Sequence, residues 1–197
     1  MSYANVGMRH PVWAPLQSHT DGSEPTYGAG RVIQEAIEAT ITFNADTTNG
    51  LYGDDVLVDM DDGITGYTVS FNPTGLKDAD RAAIMGEEVT TGSVYEITDA
   101  GSPWGGFGFF RVMRDENRTR YYEAWWCRKI KFREPSQTTR TKEGSVQWRT
   151  PTLEGTGAGL IVDGGDKIKY IKHKTFETAA AAKSWLDGLA NVSAVTT

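Results

Sequence analysis

Residues 121–156, YYEAWWCRKIKFREPSQTTRTKEGSVQWRTPTLEGT, decide the fold. The stretch reads as two long β-strands joined by a charged, polar arm. The first strand is expected over residues 120–133. A period of two places Tyr122, Ala124, Trp126, Ile130 and Phe132 on one face. Tyr121, Trp125 and Cys127 fall on the other, with Glu123, Lys129, Lys131 and Arg133. The arm covers about residues 134–143. Residues 144–156 return as the partner strand, with Val146, Trp148, Thr150 and Thr152 on one face. Large aromatics on both faces of the first strand mean that it must be covered twice. One cover is its own core, and the other is expected to be a second copy of the same chain.

Upstream, residues 11–16 read as a strand and 17–30 as a loop. Residues 31–43 read as one long strand, with Ile33, Ile37, Ala39, Ile41 and Phe43 on its apolar face and Gln34, Glu38, Thr40 and Thr42 on its polar face. Residues 44–53 read as a loop closed by Asn49-Gly50. A short strand over 56–60 is expected to turn at Asp61-Asp62-Gly63 into a strand over 64–72. In that strand Tyr67, Val69 and Phe71 point inward, and Thr68 and Ser70 outward.

A helix is expected over 76–85. Pro73 stops the strand before it, Gly86 stands at its C′ position, and Leu76, Ala79, Ala83 and Ile84 form its buried stripe. Residues 94–98 and 105–113 read as further strands. Residues 167–174 alternate Lys with apolar residues, the pattern of an edge strand protected by charge. A C-terminal helix over 178–189 packs Trp185, Leu186 and Leu189, with the four-alanine run supplying propensity. The fold class is therefore mainly β: an antiparallel sandwich or barrel with one packed helix and a C-terminal helix. The 197 residues are read as a single domain.

Composition narrows the classes of function. Residues 1–100 hold 4 Lys+Arg and 16 Asp+Glu, a balance of −12, whereas residues 101–197 hold 16 and 10, a balance of +6. The split fits a subunit with an acidic and a basic surface that meet head to tail, and equally chance segregation on a solvated surface. It lacks the overall basic stripe of a DNA-reading protein. No apolar h-region follows Met1, and no apolar run approaches the ~20 residues of a membrane span. The single Cys127 excludes an internal disulfide and reads as a buried thiol.

No catalytic constellation emerges. The three histidines, at 10, 19 and 173, are scattered, and neither G-x-S-x-G nor H-E-x-x-H occurs. Asp54, Asp55, Asp59, Asp61 and Asp62 could hold a hard cation, but their spacing fails the EF-hand loop, and they read as a solvated or partner-facing acidic loop. The aromatics read as core or subunit interface ahead of a stacking platform, because they follow strand periodicity. No metal or cofactor is expected.

Several words of the chain, in order, resemble the major tail protein family of long-tailed bacteriophages, whose subunits stack into the tail tube. They are Val6-Gly7, Trp13-Ala14-Pro15-Leu16, Leu51-Tyr52-Gly53-Asp54-Asp55, Trp126, Lys129-Ile130-Lys131-Phe132, Glu134-Pro135-Ser136, Thr141-Lys142-Glu143-Gly144-Ser145 and Thr150-Pro151-Thr152-Leu153-Glu154-Gly155. The resemblance covers roughly residues 6–155. It implies a structural, non-enzymatic subunit of the virion tail, assembled in the bacterial host cytoplasm. Its partners would be itself, as hexameric rings stacked into a tube, and the tape measure, tail terminator and tail tip proteins. DNA would be only a passing, non-specific cargo, and no membrane would be involved.

On this reading Glu134, Pro135, Ser136, Arg140, Lys142 and Glu143 of the arm contact neighbouring subunits. Leu51, Tyr52, Asp54 and Asp55 form an acidic contact loop, and the −12 against +6 split suggests that the acidic residues from Asp54 to Asp62 meet Arg128, Lys129, Lys131 or Arg133 of a neighbour. Glu38, Thr40, Thr42, Thr68 and Ser70 are candidates to line the lumen, where a basic wall would hold phosphates; an ordinary solvent-facing sheet surface is the plain alternative. Two rival functions remain at this level: a lipocalin-like or avidin-like barrel for a small ligand, and an enzyme on a β-scaffold.

Overall fold

The computed structural model describes residues 4–33, 35–45, 49–54, 56–61, 63–133 and 150–193. Strands β1 (Ala4–Ser18), β2 (Thr26–Tyr27), β3 (Arg31–Val32) and β4 (Ala36–Ala45) come first, then β5 (Asn49–Gly53), β6 (Val56–Asp61) and β7 (Ile64–Pro73). Helix α1 (Asp78–Met85) separates them from β8 (Glu88–Thr90), β9 (Val94–Glu96), β10 (Gly105–Arg114) and β11 (Arg120–Arg133). The chain continues through β12 (Leu153–Gly157), β13 (Leu160–Ile161), β14 (Ile168–Lys169) and β15 (Ile171–Phe176) to helix α2 (Ala179–Leu189). The fold is mainly β with antiparallel pairing and two helices, as the sequence implies.

One large sheet dominates, in the order β2-β1-β10-β11-β12-β7-β4, with β3 added to β1 and β15 to β11. β11 organises it. One edge of β11 pairs with β10 from Arg120 to Ile130. The other edge is divided: β15 takes Tyr122 to Cys127, and β12 takes Ile130 to Arg133. The sheet curls, so residues from its two ends share a core. Trp13, Phe107 and Phe109 pack with Tyr67, Val69, Phe71, Leu153 and Phe132, and α1 adds Ile84 and Met85.

The face pattern expected for β11 holds only in halves. Phe107 pairs with Cys127 and Gly105 with Ile130, so two residues of β10 span three of β11. The bulge at Arg128 and Lys129 flips the parity of everything after it. Cys127, Ile130 and Phe132 therefore share the inter-sheet core, while Ala124 and Trp126 belong to a second cluster on the opposite face. That second face is covered by α2 of the same chain, through Ala182, Leu186 and Ala190. The two-sided strand is indeed covered twice, but its second cover is intrachain and not a second copy.

Other expectations shift by a residue or an element. The strand expected over 31–43 is broken: β3 pairs with β1 and β4 with β7, and Ile33 is buried at the break. Ala36 pairs with Pro73 and Glu38 with Asn72, so Ile37 is a bulged residue and lies exposed, not on the core face. Phe43 is also largely exposed, whereas Ala39 and Ile41 pack against the core.

In α1, Asp80, Ala82, Ile84 and Met85 are buried and Ala79 is exposed. Asp80 tolerates burial beside Arg31, whose Nη1 lies 3.5 Å away. Gly86 closes the helix in the left-handed region at φ 75°, where a Cβ would also sit 2.9 Å from the Gly101 carbonyl oxygen. The Asp61-Asp62-Gly63 word does not join a β6–β7 hairpin. β6 pairs with β5, and the loop expected over 44–53 supplies that partner strand.

Candidate assembly surfaces

The arm residues Glu134, Pro135, Ser136, Arg140, Lys142 and Glu143 lie outside the described residues, as does Asp55. The arm's root is described. Arg133 of β11 pairs with Glu154 of β12, so the connection between these paired strands starts and ends at one place on the sheet. This agrees with two antiparallel strands joined by an arm, but β12 starts at Leu153: residues 150–152 carry no strand, and 144–149 lie outside the described residues.

The acidic word lies at the end of a two-stranded ribbon. Gly53 pairs with Val56, which leaves Asp54 at the tip with φ 49°, in the left-handed region that Asp tolerates better than most residues. Asp54 is exposed. Leu51 and Tyr52 stand in β5 of the same ribbon. Val56 and Val58, two residues apart on β6 and so on one face, are both 64% exposed. The sequence reading of residues 56–60 as a short strand assigned no face to these valines. A second ribbon, β8–β9, presents Val89 and Val94, with Ile97 just beyond it. An isolated two-stranded ribbon is marginal in water, and apolar side chains on it gain from a partner.

The five lumen candidates lie on one face. Thr40 pairs with Ser70, Thr42 with Thr68 and Glu38 with Asn72. The rows continue across the sheet: Ser70 to Glu154 to Arg133, and Thr68 to Thr156 to Lys131. Glu38, Thr40 and Thr42 are exposed, and Thr68 and Ser70 half-buried. The Ser/Thr surface free of Lys and Arg thus extends over β4, β7 and β12, and it stops at β11.

The basic residues named as partners for the acidic loop separate into two groups. Arg128 is buried, and its guanidinium is bound to the Glu24 carboxylate, so it is not available to a neighbour. Burial alone would raise the Glu24 carboxyl, but the hydrogen bond and charge of Arg128, with Lys172, outweigh it and hold the group below its ordinary value. Lys129 lies over the Trp104 ring at 4.9 Å. Lys131 and Arg133 have no ion pair among the described residues. They border a groove of about 390 Å³ whose other walls include Met85, Ile97, Trp104 and Phe132. Glu87 also lines this groove, but its carboxylate is engaged by Arg81 Nε at 2.9 Å. No local pattern marks residues 97–104 as neighbours of the basic end of β11.

Aromatic rings fill the middle of the curled sheet, and a second groove of about 430 Å³ opens beside them, lined by Met8, Ala39, Ile41, Phe109 and Trp125. Phe107 packs against Phe71, Phe109 and Phe132, with ring centroids 5.0, 5.9 and 5.4 Å away. These rings belong to one core cluster with Trp13 and Tyr67. Cys127 is buried as expected, and burial pushes its thiol up to about 12. No helix among the described residues is long and apolar enough to cross a membrane. No protein-family model matches the chain, and no curated protein matches its sequence.

Proposed function

We propose that the chain is a structural subunit of a bacteriophage tail tube, which forms hexameric rings stacked around a lumen for DNA. The observation that carries this reading is the pair of ribbons, β5–β6 and β8–β9, with their exposed Val56, Val58, Val89 and Val94. A monomer gains nothing from apolar ribbons held in water, whereas a repeating neighbour covers them. The ordered words of the tail protein family support the same reading. The free outer edge of β4 is a further place where a copy can add, since β4 pairs only with β7 among the described residues.

The aromatic cluster around Phe107 fills the middle of the sheet, which weighs against a barrel closed around a central ligand. The polar β4–β7 face suits a lumen wall: its Thr and Ser side chains and the Glu38 carboxylate offer phosphates no cation. The subunit would then reside in the virion tail, with tape measure, terminator and tip proteins as its further partners. Sedimentation of the purified chain at rising concentration, followed by electron microscopy, tests the proposal. Rings or tubes are the expected outcome. A chain that stays monomeric at high concentration in every salt tested overturns it.

A further inference from the structure

We infer that the tip of the β5–β6 ribbon of one copy docks into the groove between β11 and residues 97–104 of the next copy, with Asp54 meeting Lys131 and Arg133. The inference rests on the tail-tube reading, because the occupant is a second copy of this chain.

Three observations select this pair of surfaces. The first is charge. Asp54 is exposed at the ribbon tip, and Lys131 and Arg133 border the groove with no ion pair among the described residues. The remaining carboxylate of the groove, Glu87, is bound by Arg81. Glu154 stands across from Arg133 on β12, so Lys131 and Arg133 together leave this side of the groove with a net positive charge, and the tip presents negative charge. The second is apolar surface. Val56 and Val58 run back from the tip along one face of β6, and the groove offers Ile97, 66% exposed, and Trp104, 37% exposed. The third is position. Lys131 and Arg133 end the polar rows that run from β4 through β7 and β12, so the groove lies at the margin of that face and leaves its Ser/Thr centre uncovered.

Single exposed ion pairs contribute little, about 0 to 1 kcal/mol, so charge alone would hold the contact weakly. Burial of the two valines against Ile97 and Trp104 supplies the larger share, and the ion pairs fix the register. The contact is heterologous: the tip of a copy does not meet the tip of its neighbour. Each copy therefore offers one tip and one groove, and the contact propagates.

Two variants, Asp54→Cys and Arg133→Cys, test the geometry. Both positions are exposed, and the native Cys127 is buried and out of reach. One variant is lengthened by a tag, and the two are mixed under assembling conditions with a short bis-maleimide. A covalent heterodimer, absent from each variant alone, is the expected result. Assembly without heterodimer overturns the docking and leaves the tube reading standing. An unsubstituted chain that never exceeds a monomer under the same conditions overturns both.

Charge exchange gives a second readout. Asp54→Lys and Arg133→Glu are each expected to slow assembly by about tenfold, and the chain carrying both to regain most of the rate. A doubly exchanged chain that assembles no faster than the singles, while circular dichroism shows all three folded, also overturns the docking.

Discussion

At the scale of single residues, the bulge in β11 is stabilised by two tyrosines from opposite faces. Tyr27 donates its hydroxyl to the Arg128 carbonyl at 2.6 Å, and Tyr67 donates to the Lys129 carbonyl at 2.9 Å. Burial raises the hydroxyl pKa of each, Tyr27 to about 12, so both stay protonated donors. The Lys129 carbonyl also accepts from the Ala158 N–H at 3.0 Å. Tyr67→Phe therefore leaves that carbonyl partnered, and the expected loss is about 1 kcal/mol, not the larger penalty of an orphaned buried acceptor. Urea unfolding monitored by tryptophan fluorescence measures it. Glu24 joins Arg128 of β11 to Lys172 of β15. A carboxyl whose folded pKa lies below its unfolded one adds stability above the unfolded value and loses it as pH falls through the folded value. The parent is expected to weaken on acidification below about 4.5, the ordinary value of this carboxyl. Glu24→Gln starts weaker at neutral pH and loses less over the same range. Urea midpoints measured between neutral pH and pH 3 would show the two curves converging; parallel curves would remove Glu24 from the acid response.

At the scale of elements, α2 is the cover that replaces a second subunit. Thr178 caps it, accepting from the Ala181 N–H at 3.2 Å, and Leu186 lies fully buried over Trp126 and Gly108. A Cβ on Gly108 would stand 2.6 Å from the Trp126 ring and 2.8 Å from Leu186, so the strand beneath the indole must be bare. Leu186→Ala is expected to cost about 2–5 kcal/mol in urea unfolding, the range for emptying a leucine site in a core. Elements with strong local signals were legible in sequence: β11 with its full bounds, α2 to within a residue of its start, and the end of α1 at Gly86. What escaped was set by pairing. Nothing in Cys127-Arg128-Lys129 marks a bulge, because a run of small parity evidence reads the same with one residue inserted. Asp61-Asp62-Gly63 carries a turn signal as good as Asp54-Asp55, and only the partner of β6 decides between them. The groove joins residues 97–104 to β11, and no local pattern reports such a meeting.

At the scale of the whole molecule, the acidic ribbon tip, the basic groove and the polar sheet face are the surfaces that the proposed tube would use. The acidic N-terminal half contributes the ribbon tip, and the basic half contributes the groove, so the −12 and +6 balances become the two ends of one contact under the docking inferred above. Such a contact is screened by salt over about 8 Å at physiological ionic strength. The division of the edge of β11 between β15 and β12 has a consequence in time. β11 is a central strand, yet both partners on that edge, and the helix over its far face, come from sequence that the ribosome delivers later. At about 5–20 residues per second, the 56 residues from Arg133 to the end of α2 at Leu189 take roughly 3–11 s to make. During that interval the Trp126 face is bare and one edge of β11 is open. The order of synthesis thus acts as a delay. A nascent chain cannot present a finished β11, with the basic wall of the groove, until its own C-terminal helix has closed the opposite side.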